Sequence, residues 1–214
     1  MGLPRTGGFR GTYGKYKRSE AELKGVDTFS VVSPTDTPTV ANNQIILLNG
    51  ITQGSDYNNR IGREVVFKSI YVRISMYSSI GSQAPTQVRW MVFWDTQANN
   101  SAGPTFSDVL SPIGSAYTAV DAVSMNNLDH RDRFITVYDK VVSLNVQSTG
   151  NISFAFNKKY KKIKNIKTVF SGTGNTSGAI YTNALWLMLI SNYATGSAAV
   201  PNVEYQVRLR YTDC

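Results

Sequence analysis

The chain contains one histidine, His130, in the run Asn127-Leu128-Asp129-His130-Arg131-Asp132-Arg133. An imidazole flanked by carboxylates has the parts of a general base, but such a base also needs a nucleophile within reach and a partner to orient it. No Gly-x-Ser-x-Gly elbow and no second histidine accompany it, so the expected role is an ion-pair cluster at the end of a long loop. Ser171-Gly172-Thr173-Gly174-Asn175 has the glycines of a phosphate-binding loop without the following Lys-Ser/Thr, and it opens no helix. A strand-to-strand loop is expected there. Asp56, Asp95, Asp108 and Asp121 lack metal-loop spacing. Cys214, the sole cysteine, can form neither an intrachain disulfide nor a Cys-based zinc site. These residues predict no enzyme and no resident cofactor; calcium held by carboxylates of more than one chain stays open.

Cations in two blocks are more informative. Residues 1–24 carry Arg5, Arg10, Lys15, Lys17, Arg18 and Lys24 against Glu20 and Glu22, and residues 157–167 carry Lys158, Lys159, Lys161, Lys162, Lys164 and Lys167 with no acid. The whole chain is +8, so the remainder is close to neutral. Such asymmetry predicts a polyanionic partner.

The first block is also rich in glycine (Gly2, Gly7, Gly8, Gly11, Gly14), and Phe9, Tyr13 and Tyr16 interleave with its cations. A segment of this composition cannot bury enough surface to offset its ordering entropy, so a disordered arm over residues 1–25 is expected, followed by one domain over 26–214. Its rings could stack bases while its cations neutralise phosphates. A solvated tail and a nuclear-import signal over Lys15 to Arg18 are the plainer alternatives. The second block includes Tyr160. Lysines on both faces suit no buried strand, so a strand end and loop are expected there. Contact with a polyanion, contact with sulfated glycans on a cell surface, and a solvated loop that repels edge pairing all fit it.

The elements that must carry these residues read as strands. Only 17% of the 214 residues are charged, below the ~25% of an average domain, which argues against helical repeats and bundles. The longest apolar run, Ala184 to Ile190, falls short of the ~18–20 residues that cross a bilayer, so no membrane insertion is expected. Strand candidates are Asp27 to Ser33, Gln44 to Leu48, Arg63 to Ser78, Gln87 to Asp95, Arg133 to Val146, Ile152 to Asn157, Ile163 to Phe170, Tyr181 to Asn192 and Val203 to Tyr211. In the last of these Val203, Tyr205, Val207, Leu209 and Tyr211 share one face, while Glu204, Gln206, Arg208 and Arg210 share the other. Val88, Trp90, Val92 and Trp94, with Met91 and Phe93 behind them, predict a central strand. The long connection from Thr96 to Asp132 should hold its own short structure, with a helical turn or two after Pro104. The fold class predicted is all-β: a single jelly-roll β-sandwich of eight or nine strands with Greek-key connections.

Several strings resemble a known family. Arg60-Ile61-Gly62-Arg63-Glu64-Val65-Val66-Phe67-Lys68-Ser69-Ile70-Tyr71-Val72-Arg73 is one, and Val88-Arg89-Trp90-Met91-Val92-Phe93-Trp94-Asp95 running into Pro104-Thr105-Phe106-Ser107-Asp108-Val109-Leu110 is another. Arg133 to Lys140 and Thr182 to Ser191 continue the series. They resemble the capsid proteins of circular Rep-encoding single-stranded DNA viruses, and among these the group whose fold is similar to the satellite tobacco necrosis virus coat. The resemblance covers nearly the whole chain in consistent order; the arm is shorter and less Arg-dense than many in that family.

The resemblance implies a virion protein, assembled in the host nucleus, of which about 60 copies close into a T=1 shell around single-stranded DNA. On that plan the last strand lies in the sheet facing the lumen, which makes Arg208 and Arg210 candidates for phosphate contact. Pairing with Glu204 or with a neighbouring subunit's acid is the plainer alternative. A coat protein of a single-stranded RNA or satellite virus, and a monomeric jelly-roll carbohydrate-binding module, are the competing functions.

Overall fold

Alternation decides the faces of this protein, and the last strand displays it most openly. In the computed structural model, which describes residues 22–78, 86–113, 119–145, 153–194, 196–197 and 199–213, Val203, Tyr205, Val207, Leu209 and Tyr211 are buried while Glu204, Gln206 and Arg208 are exposed. In order along the chain the strands are β1 (Lys24–Val32), β2 (Ile45–Leu47), β3 (Glu64–Tyr77), β4 (Thr86–Asp95), β5 (Phe134–Leu144), β6 (Phe154–Phe170), β7 (Ile180–Thr182), β8 (Ala184–Ser191) and β9 (Asn202–Asp213). They form a five-stranded sheet in the order β1-β9-β3-β6-β7 and a four-stranded sheet in the order β2-β8-β4-β5. Every pairing between these strands is antiparallel. Neighbours such as β1 and β9, or β2 and β8, come from distant parts of the chain, which is the Greek-key wiring of the expected all-β jelly-roll sandwich.

The two sheets enclose one core. β8 is buried along its whole length and β4 nearly so, and Trp90, Trp94 and Trp186 are each about 1% exposed. Phe67 of β3 meets Trp94 of β4 and Tyr211 of β9, with ring centroids 5.7 and 6.0 Å apart, so aromatic contacts run through the middle of the sandwich. Burying each large apolar side chain here stabilises the fold by roughly 1.5–3 kcal/mol. β4 sits between β8 and β5, as its doubly apolar pattern predicts.

The connection from Thr96 to Asp132 does hold short structure. A single helical turn, α1 (Phe106–Val109), is closed by a capping box in which the Thr105 side chain accepts from the Asp108 amide and Asp108 accepts from the Thr105 amide. The connection covers β4: Arg89 donates to the carbonyls of Ala122 and Ser124 and forms two hydrogen bonds, 2.8 and 2.6 Å, with Asp139 of β5.

Three expected strands differ in the structure. The segment from Tyr181 to Asn192 is divided, because Asn183 has φ of 58°, a left-handed conformation that no strand runs through. There the chain leaves the five-stranded sheet and enters the other one. Asn49, fully buried, fixes the crossing: its amide donates to Thr168 Oγ1 of β6 and to the Asn183 carbonyl, and its carbonyl oxygen accepts from the Leu185 amide of β8. Conversely, the segments 152–157 and 163–170 are one strand. β6 runs without interruption through the lysine block, with a bulge against β3 between Phe67 and Ser69.

Candidate nucleic-acid interface

The lysine block is therefore neither a strand end nor a loop. The expectation failed because it assumed that β6 is covered on both faces. β6 pairs with β3 on one side, but among the described residues β7 reaches only Val169 and Phe170 on the other, so most of β6 is an open edge there. Lysines on an edge strand keep their ammonium groups in water and also oppose strand addition.

Register sorts these lysines. Lys158 lies opposite Arg73 and Lys162 opposite Ser69, on the outer face of the five-stranded sheet. Lys159 and Lys161 lie opposite Val72 and Ile70, whose side chains enter the core; both lysines are nonetheless exposed, and the Lys161 ammonium emerges beside the edge of the other sheet. Lys161 Nζ is 3.3 Å from the Val137 carbonyl of β5 and 5.8 Å from the Tyr138 ring. Lys164 falls in the bulge and is exposed, and Lys167 pairs with Glu64 at 2.8 Å. The block thus faces two directions rather than one.

Arg208 and Arg210 join Lys158 and Lys162 on the outer face. Arg208 is opposite Tyr71 in β3, and Tyr71 is opposite Tyr160 in β6; Arg210 is opposite Ser69, itself opposite Lys162. Within the chain Arg208 does not pair with Glu204. Asp27 of β1 takes it through two hydrogen bonds, 2.7 and 2.6 Å, and these bonds hold the Asp27 carboxyl below its ordinary range. The same bonds raise the Arg208 guanidinium above its ordinary value. Arg210 donates instead to the Tyr57 hydroxyl at 3.2 Å, over a groove of about 500 Å³.

Sequence reasoning missed Arg73, Tyr71 and Phe156 on this face. The signal for Tyr71 and Arg73 was present in β3, where Tyr71, Arg73, Ser75 and Tyr77 alternate with Val72, Ile74 and Met76. Lys24, counted with the basic arm, is 2% exposed and sits 3.0 Å from Asp213 Oδ2 while donating to the Asn59 carbonyl. Arg5, Arg10, Lys15, Lys17 and Arg18, with Phe9, Tyr13 and Tyr16, lie outside the described residues.

The residues weighed for chemistry have structural partners. His130 contacts the Asp108 carbonyl of α1 at 3.0 Å through Nδ1 and stands edge-on to Phe134, in place of the expected ion-pair cluster. A carbonyl left open at the end of a one-turn helix captures the ring. Asp95 is fully buried and takes two hydrogen bonds of 2.8 Å from Arg133, which raise the Arg133 guanidinium above its ordinary value. Gly172 and Thr173 of the glycine-rich loop accept from Arg60 and from the Gln53 amide, as a structural connection would. Among the described residues no group of three or more His, Cys, Asp or Glu side chains converges on a metal-sized site.

The family model of the satellite tobacco necrosis virus coat protein matches residues 17–214. The chain belongs to that coat protein family. A search of curated proteins finds no match to it. Membership in a coat protein family gives the sandwich a structural role in a virion, as one of many copies in a shell, and suggests no reaction for His130 to perform.

Proposed function

We propose that this coat protein closes into a T=1 shell of about 60 copies around single-stranded DNA. In that shell the five-stranded sheet faces the lumen, and the arm that precedes β1, residues 1–23, and the cations of β6 and β9 meet the genome. The observation that carries the reading is the gathering of Lys158, Lys162, Arg208 and Arg210 on one sheet face of an otherwise near-neutral body. Contacts of this kind neutralise phosphates without reading base edges, so binding should fall steeply with salt and ignore sequence. About 60 copies of the segment 1–23, each near +3 because Lys24 is buried against Asp213, bring roughly +180 into the lumen, enough for only about two hundred phosphates. The sheet face supplies part of the remainder.

The DNA assignment follows the resemblance to single-stranded DNA virus capsids. Electron microscopy of the full-length protein should reveal closed particles, sedimenting as roughly 1.4 MDa, whose cargo is removed by DNase after disruption. A chain that remains a 23.6 kDa monomer at physiological salt overturns assembly, and cargo sensitive only to RNase overturns the choice of DNA.

A further inference from the structure

The outer face of the five-stranded sheet carries aromatic rings as well as charge. Tyr71 and Tyr160 are direct cross-strand neighbours; the next pair along is Arg73 with Lys158, and the next is Ser75 with Phe156. Cross-strand neighbours are about 5 Å apart and successive pairs on one face about 7 Å apart, so rings and cations repeat on the scale of a nucleotide. Tyr160 is 60% exposed and Phe156 47%. Arg73 already lies over the Phe156 ring, its guanidinium carbon 5.7 Å from the centroid. Neither Lys158 nor Lys162 has an acidic partner among the described residues.

We propose that this face is a stacking platform for unpaired bases: Tyr71, Tyr160 and Phe156 take the bases of a single strand while Arg73, Lys158 and Lys162 hold its phosphates. The proposal rests on the packaging reading above and adds a preference that charge alone does not supply. A polyanion of any kind neutralises lysines, but only a strand with free base faces gains from the rings. A duplex hides those faces. A second copy of this chain is a poor occupant, because an isologous contact would set Arg73, Lys158 and Lys162 against themselves. A groove of about 700 Å³ beside Arg73 and Phe156, bounded also by Phe29 and Val31, extends the apolar part of the platform toward β1.

The test uses the full-length chain purified free of nucleic acid, with three fluorescein-labelled probes: a 20-nucleotide oligothymidylate, an abasic 20-mer with the same number of phosphates, and a 20-base-pair duplex. The wild-type protein binds oligothymidylate roughly tenfold or more tightly than the abasic strand. Tyr71→Leu with Tyr160→Leu erases that preference and leaves the salt slope unchanged, while Tyr71→Phe with Tyr160→Phe retains it. Lys158→Gln with Lys162→Gln weakens all three probes alike and flattens the salt slope. Equal affinity of the wild-type chain for oligothymidylate and the abasic strand overturns the platform and leaves packaging intact. Failure to bind any probe counts against packaging itself. If the tyrosine-to-leucine pair changes sedimentation of the protein while probe affinities stay constant, the face is a subunit contact and the proposal is wrong.

Discussion

Asp27 and Arg208 are 181 positions apart in sequence and directly opposite each other between β1 and β9, joined by two hydrogen bonds of 2.7 and 2.6 Å. The protein thus masks one of the cations on the face proposed to meet nucleic acid. Asp27→Asn should unmask it. We expect tighter binding of single strands and a salt dependence steeper by about 0.7 in log–log slope, the value for one added phosphate contact. Anisotropy titrations between low and physiological salt measure both, and an unchanged slope would mean that Arg208 is not within reach of the strand.

The same pair sets a pH dependence. Its hydrogen bonds depress the folded-state pKa of Asp27, so its stabilisation is complete above the unfolded value of about 3.9 and disappears as the pH falls through the lower folded value. Unfolding curves of wild type and Asp27→Asn, collected from pH 2 to pH 7, should differ by a constant amount above about pH 4 and converge below it. A gap that stays open at the acid end assigns the difference to another cause.

Asn49 uses its amide to tie β6, Asn183 and β8 together at the point where the chain changes sheets. Asn49→Ala leaves the buried Leu185 amide without its partner and strips the half-buried Asn183 carbonyl of one of its two donors, the other being the Thr168 hydroxyl, a loss of about 2–3 kcal/mol. Asn49→Asp should not recover it, since a carboxylate cannot donate to either acceptor. Denaturant unfolding of the unassembled chain is the measurement, because assembly would add its own stabilisation.

Arg60 is wholly buried and donates to the carbonyls of Ile51, Gly62 and Gly172 while its guanidinium lies 4.1 Å from the Phe170 ring centre. Burial lowers its pKa from the ordinary value. An ammonium cannot reproduce a planar fork aimed at three carbonyls, so Arg60→Lys should destabilise by about 2–4 kcal/mol despite conserving charge. Loosening should concentrate in residues 51–62 and 171–174, visible as faster amide exchange there. Uniform loss of protection across the sandwich would contradict that role.

Truncation of the basic segment separates packaging from folding only if it stops in the right position. Removing residues 1–21 should lower the 260/280 nm absorbance ratio of particles more than their yield. Removing residues 1–24 also deletes Lys24, whose buried ammonium meets Asp213 and the Asn59 carbonyl, and should lower yield as well. Equal nucleic acid content after the shorter truncation would show that residues 1–21 are not the packaging element.

Much of the sandwich was legible because its strands obey a period of two and its turns use Gly, Pro, Asn and Ser. β9 was legible from alternation and β4 from apolar residues on both faces, and the helical turn after Pro104 from its local chemistry. β6 was not, since Lys159 and Lys161 point the same way as core residues and look impossible until β6 is known to be an edge. The Asp27–Arg208 pair was illegible for a related reason: register between distant strands is set by the whole sheet, and nothing near Asp27 announces its partner. Asn183 was hidden because a single left-handed residue just before the apolar run Ala184 to Ile190 leaves the strand-like composition of the segment unchanged.

All three tryptophans are buried: Trp90 and Trp94 lie between the sheets, and Trp186, opposite Phe93, lies on the other face of the four-stranded sheet beneath Gly103 of the long connection; among the described residues the indole nitrogens of Trp90 and Trp186 have no hydrogen-bond partner. Their emission should be blue-shifted and resistant to aqueous quenchers, responding to unfolding but silent when a strand settles on the exposed face some distance away. Tyr71 and Tyr160 stand on that face, so the part of the phenol emission that Tyr71→Phe with Tyr160→Phe removes should respond to a bound strand, while indole light follows the fold.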